Sequence, residues 1–318
     1  MPQPTLKRKA VIPPKPSHWH RHRIEGGGRT LAVSVAVAFF GGLHLVFLGV
    51  SLALIARPPR VGWLMTVKTS VPPAAGAPAL PPSLGQGDVP VAVIVENQVA
   101  ARPAAGLERA RLVFEVPAEG GITRYLALFA LADLPDRIGP VRSARPYLVA
   151  WAEEWRAALF HSGGSEAALT RLRESPLPNV DEISAFGRYF FRDQGRLRPH
   201  DLYTSGRLIR QAFDDLALSR RALFTPLPAA KPSPQGVVTP LPGVRITSDD
   251  PDYCVAYRYD PAAQAYQRWL AGERHRTEGG KAVYAKSVLV PVISARVLDR
   301  EGRLQFALDG SGELTALI

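Results

Sequence analysis

The stretch "GPVRSARP" (139–146) sets two guanidiniums, Arg142 and Arg145, three residues apart between a Gly-Pro step and a proline. Cations held that close repel each other unless an anion lies between them. Anions of the same chain are close by in "FEVPAEGGITR", which brings Glu115, Glu119 and Arg124 around a Gly-Gly turn. Glu115 stands among apolar strand residues, where a lone buried carboxylate is costly, so it faces a partner charge or a cleft. In "HSGGSE", His161 precedes a glycine turn whose bare amides suit an anion. "YFFRDQGRLRPHDLYT" adds Arg192, Asp193, Arg198, His200, Asp201 and Tyr203 on an aromatic-backed loop.

Three readings of these groups stand side by side. In the first, Arg124, Arg142, Ser143, Arg145, His161, Arg192 and Tyr203 bind a carboxylate, phosphate or sugar, with bidentate arginine contacts and Tyr189, Phe190 and Phe191 as pocket walls. In the second, Glu115 or Glu119 is acid or base and Asp193 with His200 forms a proton relay, which is hydrolase chemistry. In the third, arginines and carboxylates pair internally and only fix loops. The expectation for "GPVRSARP" is mixed, with one arginine on Glu115 or Glu119 and the other facing a cleft. The sequence contains no phosphate loop, nucleophile elbow, His-Glu metal helix or EF-hand, and neither a cofactor nor a metal is expected. The single cysteine, Cys254, excludes an intrachain disulfide and a cysteine-based zinc site.

Those groups need elements to hold them. "VPVAVIVEN" reads as a buried strand, and "ARLVFEVP" with "ITRYLALFALA" as a hairpin turning at Gly120-Gly121. "YLVAWAEEWRAAL" places Leu148, Trp151, Trp155 and Leu159 at helical spacing, and that helix starts near Ser143 or Pro146. "ALFHSGGSEAALTRL" reads as strand, turn and helix, and residues 204–218 as a helix capped by Thr204 or Ser205. After a proline-rich stretch the pattern turns to short strands, with a hairpin at Asp260-Pro261. The fold class is therefore an α/β or α+β main domain, a mixed sheet with flanking helices, over 89–225. A linker (226–243) and a smaller β-rich domain (244–318) follow.

The formal charge of +11 invites a nucleic-acid reading, but it is unevenly spread. Residues 1–30 hold a net +6 and residues 57–89 a net +2, which leaves +3 for the remainder of the chain. A globular part that near to neutral lacks the basic footprint of a nucleic-acid partner. Residues 31–56 run 26 long without a formal charge, enough for one membrane span and longer than the ~7–15 apolar residues of a cleaved signal. The basic tail (1–30) keeps the N-terminus cytoplasmic, so this signal anchor places the bulk of the chain outside the cytoplasm. Residues 57–88, rich in Pro, Ala and Gly, form a spacer.

Taken together, "FEVPAEGGITRYLALF", "IGPVRSARPYLVAWAEE", "FHSGGS", "YFFRD" and "RPHDLYT" resemble the bacterial YerB-like family, sequences described as lipoproteins that carry domain of unknown function 3048. The resemblance runs from about Val89 to Leu218, and the tail resembles the family's second, β-rich domain. It implies characteristic positions at Glu115, Glu119, Gly120, Gly121, Arg124, Arg142, Ser143, Arg145, Arg192, Asp193, His200 and Tyr203. The chain departs from the family in having no lipobox cysteine at its anchor and in Asp201, where an asparagine is usual. Its second domain also stops early. The function expected is binding of an anionic or sugar-containing cell-envelope ligand at the cell membrane. Envelope polysaccharide or peptidoglycan hydrolysis, and scaffolding of other envelope proteins, are the alternatives.

Overall fold

Strands buried on both faces read as continuous apolar runs, and "PVAVIVE" is the clearest in this chain. The computed structural model describes residues 84–85, 87–220, 242–297, 303–306 and 313–317. Here the run forms β1 (Pro90–Glu96), buried at every position. The hairpin β2 (Leu112–Pro117) and β3 (Thr123–Ala130) follows, as the sequence predicts. Its turn takes φ 59° at Gly120 and 79° at Gly121, the left-handed region that favours glycine. Next come α1 (Pro146–Glu154), β4 (Ala158–His161), α2 (Glu166–Glu174) and β5 (Asn179–Asp181). The short pair β6 (Phe191–Arg192) and β7 (Leu202–Tyr203) precedes α3 (Gly206–Asp215).

The first five strands form one mixed sheet in the order β2-β3-β1-β4-β5. β3 runs antiparallel to both β1 and β2, while β1, β4 and β5 run parallel. Alternate residues of β1 feed two cores. Val91, Val93 and Val95 pack with Phe129, Phe160 and the α3 residues Ile209, Ala212 and Phe213. Ala92 and Ile94 pack with Leu126, Leu128, Leu148 and Val149 of α1, and Leu172 of α2. This is an α/β main domain of three layers.

The helical stripe expected to reach Leu159 stops sooner, and Leu159 lies in β4. Arg156 ends α1 with φ 47°, its amide donating to Glu153 O at 2.9 Å and that of Ala157 to Ala152 O at 3.0 Å. That paired closure turns the chain back into the sheet. α3 has its cap at Ser205, whose Oγ accepts from Leu208 N, while Thr204 bonds Tyr189 O instead.

The C-terminal part is β-rich. β8 (Gly243–Ile246), β9 (Val255–Asp260), β10 (Ala265–Leu270) and β11 (Glu273–Arg274) pair in sequence, and β12 (Tyr284–Ala285) also pairs with β10. The hairpin turns after Asp260 as expected. β13 (Val288–Val292) pairs with β16 (Glu313–Leu317), and β14 (Ala295–Val297) with β15 (Leu304–Phe306). The expected tail, span and most of the spacer, as well as residues 226–241 of the linker, lie outside the described residues. No helix among the described residues is long and apolar enough to cross a membrane.

Charged contacts join the C-terminal strands to the mixed sheet. Arg268 of β10, 3% exposed, donates to Glu115 Oε2 at 2.7 Å and meets His275 Nδ1 at 2.7 Å. Glu278 forms an ion pair with Arg137, 2.8 Å from its Nε, and lies 3.3 Å from Arg196. Phe306 packs edge-on against Tyr147.

Two predictions follow from these elements. Ala217 holds φ 48° in the same closing role after α3. An L-residue there costs ~1–2 kcal/mol, so Ala217→Gly should raise the unfolding free energy by about 1 kcal/mol in urea titrations. An unchanged or lower value would refute this. Burial, then the charges of Arg268 and Arg102, push His275 down to about 2. Unfolded, it titrates near ~6.5, so between those values the unfolded chain binds the extra proton. Stability should therefore be intact above about pH 6.5 and fall by about 1.4 kcal/mol per pH unit below it from this group. His275→Asn keeps an acceptor for Arg268 and should flatten that slope between pH 7 and pH 5 (~2 kcal/mol in total). An undiminished slope would assign the loss to other groups.

Candidate functional site

The parallel strands β1, β4 and β5 end at Glu96, His161 and Asp181, so their carboxyl ends open on one side of the sheet. Open α/β sheets bind ligands just outside such ends. "GPVRSARP" is laced into that edge by its backbone. Glu96 N donates to Pro140 O and Arg142 N to Ile94 O, both at 2.9 Å. Val141 N reaches Leu202 O at 2.7 Å, Ala144 N reaches Gly163 O at 2.9 Å, and Ser162 N reaches Arg142 O at 3.1 Å. Gly139 permits this threading, because a Cβ there would lie 2.8 Å from the Tyr203 ring.

Both arginines meet carboxylates. Arg145 pairs with Glu119, as one sequence reading has it, and also donates to Ala144 O at 2.7 Å. Arg124 joins the same carboxylate at 3.2 Å and donates to Ser143 O at 2.9 Å. Arg142 instead pairs with Glu96 Oε1 at 2.7 Å, and Glu96 Oε2 holds His200 Nδ1 at 2.9 Å. Since Glu96 and Arg124 are partners across the β1–β3 ladder, the two groups form one cluster. Burial, opposed by Tyr147 and aided by the like charge of Arg142, lowers the pKa of Arg124. The Arg142 side chain keeps 21% of its surface in solvent and that of Arg145 only 12%. Both contacts of Arg142, with Glu96 and with His200, run through Nη2, leaving Nε and Nη1 unbonded among the described residues.

The remaining candidates separate. Glu115 lies away from both arginines and is taken by Arg268, with Thr123 Oγ1 donating to it at 2.9 Å. Asp193 does not form the expected relay with His200, because the Gly195 amide and then Arg137 hold it, below the usual carboxylate range. His200 takes Glu96 in its place. His161 is fully buried, bonded to Gly163 O at 2.8 Å and the Asn179 side chain at 2.6 Å, so it does not face a ligand. The amide of Gly163, expected to meet an external anion, already donates to Asp181 Oδ1 at 2.7 Å. Tyr203 is likewise buried beneath Arg137, whose guanidinium lies 3.7 Å from the ring centre. Tyr189 and Phe190 belong to the core rather than to a pocket wall, and Phe191 stacks on Tyr203. Arg192 bridges Glu182 at 3.1 Å and Asp201 at 2.8 Å, and Ser162 Oγ donates to Glu182 at 2.8 Å. Ser143 enters through its carbonyl.

Glu96, Arg137, Glu182, Arg268 and Glu278 are among the charged residues that the motifs do not single out. A glutamate closing a valine-rich strand and an arginine inside the apolar alternation "AYQRWL" are the signals that point to Glu96 and Arg268. Among the described residues no three His, Cys, Asp or Glu side chains gather as a metal site would require. A separate open groove of about 570 Å³ is lined by Gly106, Glu108, Asp136, Arg137 and Lys281, and none of the expected site residues lines it.

Comparison with known proteins agrees with this architecture. "Putative lipoprotein YerB" of Bacillus subtilis (strain 168) is 32% identical over 231 residues, which is 70% of this chain and 68% of that protein. The crystal structure of the YerB protein from Bacillus subtilis superposes with a TM-score of 0.62 at 30% identity, covering 72% of this chain and 78% of that one. With the N-terminal domain matched at residues 75–219 and the C-terminal domain at 244–317, the chain belongs to the family described as protein of unknown function (DUF3048).

Proposed function

We propose that this chain is held at the cell membrane with its folded part outside the cytoplasm, where it binds an anionic or sugar-containing ligand of the cell envelope. The observation that carries the reading is the Arg142 guanidinium at the carboxyl edge of the sheet. It pairs with Glu96 through Nη2, keeps Nε and Nη1 unbonded among the described residues, and leaves 21% of its side chain in solvent. Guanidinium donors left open in a partly desolvated site favour carboxylate or phosphate. Hydrolysis by a carboxylate pair is less well supported, because Glu115, Glu119 and Asp193 are each held by an arginine.

The address rests on two things. A relative's name describes a lipoprotein, and residues 31–56 of this chain are uncharged over 26 positions. Lipid attachment uses a cysteine thiol, and the single cysteine, Cys254, sits in the folded part with its Sγ against Ser248. The apolar stretch is therefore the anchor in this reading, as a single span with the N-terminus cytoplasmic.

The test is calorimetric titration of the full chain, kept in detergent, with teichoic-acid and peptidoglycan fragments. Arg142→Ala should weaken binding about ten- to a hundredfold, the loss of one charge-assisted contact of ~1.5–3 kcal/mol. Arg142→Lys, which keeps the charge opposite Glu96 but loses the planar fork, should fall between. Parental affinity in Arg142→Ala would overturn the assignment.

A further inference from the structure

Glu96 is 6% exposed and divides its oxygens between two partners, Oε1 toward Arg142 and Oε2 toward His200 Nδ1 at 2.9 Å. A carboxylate only accepts, so Nδ1 carries the proton in the neutral ring and the lone pair lies on Nε2. Arg142 Nη2, 3.3 Å from Nδ1, is the longer contact and sets donor against donor. Nε2 makes no bond within the described residues and is not buried, so it opens to solvent. The backbone that carries the ring is fixed as well. The His200 amide donates to Leu197 O at 2.9 Å, and the neighbouring Asp201 is locked by Arg192 at 2.8 Å. A carboxylate that fixes an imidazole tautomer and leaves Nε2 outward is the geometry of a general base.

We propose that His200 is a catalytic base, positioned by Glu96, and that the site hydrolyses a phosphodiester of the ligand held on Arg142. The proposal rests on the binding reading above. The surrounding charges select the ester. A phosphodiester carries its negative charge on the reacting group, so the guanidiniums that bind it also face the charge that shifts in the transition state. A glycosidic bond carries no such charge and needs two working carboxylates, whereas Glu115 and Glu119 are tied to arginines. In the step, Nε2 takes a proton from water as the water oxygen bonds to phosphorus. The bond from phosphorus to the leaving alcohol oxygen breaks on the opposite side, that oxygen takes a proton from solvent water, and Nε2 returns its own proton to solvent. Phosphomonoester and alcohol leave, and the imidazole returns neutral.

The experiment uses the full chain in detergent with bis(4-nitrophenyl) phosphate, following nitrophenolate release, and teichoic-acid binding measured in parallel. The parent should turn over above buffer background. His200→Ala should lose at least about a hundredfold while still binding the polymer, and added imidazole should restore part of the rate, which a merely structural histidine would not allow. Glu96→Gln, which also removes the charge opposite Arg142, should lower kcat by a larger factor than it changes KM. A parental rate equal to background, or His200→Ala at the parental rate, would overturn the catalytic assignment. If the polymer still binds in that case, only catalysis falls. If polymer binding is absent as well, both readings fall.

Discussion

Arg268 is the charge on which the arrangement of the other groups depends. Removing a guanidinium from water is expensive, and without a matched anion the cost, ~3–5 kcal/mol, would take up a large part of the ~5–15 kcal/mol stability of a domain. Burial alone would lower its pKa, and its neighbours together, Glu115 first and then Tyr125 and Tyr257, more than reverse that. The match has geometric consequences. Glu115 can serve Arg268 only with β10 seated beside β2, so the ion pair fixes the C-terminal strands against the mixed sheet. The same carboxylate accepts from Thr123 and from Asn97 Nδ2, and Arg102 Nε binds Asn97 in turn. Asn97 directly follows Glu96. A contact at the seam thus reaches the residue that orients both Arg142 and His200.

The division of labour among the carboxylates follows from this. Glu115 and Glu119 sit a few residues apart around one hairpin and look equivalent in composition. Opposite charges from different parts of the chain separate them, a β10 arginine for one and two sheet-edge arginines for the other. Asp201 is accommodated by the same logic. It is almost fully buried, and Arg192 at 2.8 Å and Arg198 at 3.7 Å balance it.

Much of this was legible in residues close together in sequence. The Gly120-Gly121 hairpin, the strand "PVAVIVE", the Ser205 cap and the Arg145–Glu119 pair all rest on local pattern, and the structure has each of them. What could not be read is what lies far apart. The partner of Glu115 is 153 residues away, on a strand whose alternation reads as ordinary half-buried sheet. His161 and Tyr203 carry the same side chains as exposed ligands would. Only the packing around them, Arg137, Phe191 and Gly139 for Tyr203 and the Asn179 side chain for His161, decides that they are interior. Polar identity is written in the sequence, and exposure is settled by neighbours from elsewhere.

The alternation along β1 limits how proteins of this kind can diverge. Its odd and even residues serve different cores, so losing or gaining one residue would turn each side chain to the opposite layer. Valines would then press on α1 and α2, and the Glu96 carboxylate would leave the edge where Arg142 and His200 wait. Change in this segment is therefore confined to exchanges of volume at constant length. Loops elsewhere can lengthen, but the distance in residues from Pro90 to Glu96 acts as a fixed ruler that both hydrophobic layers and the charged edge read together.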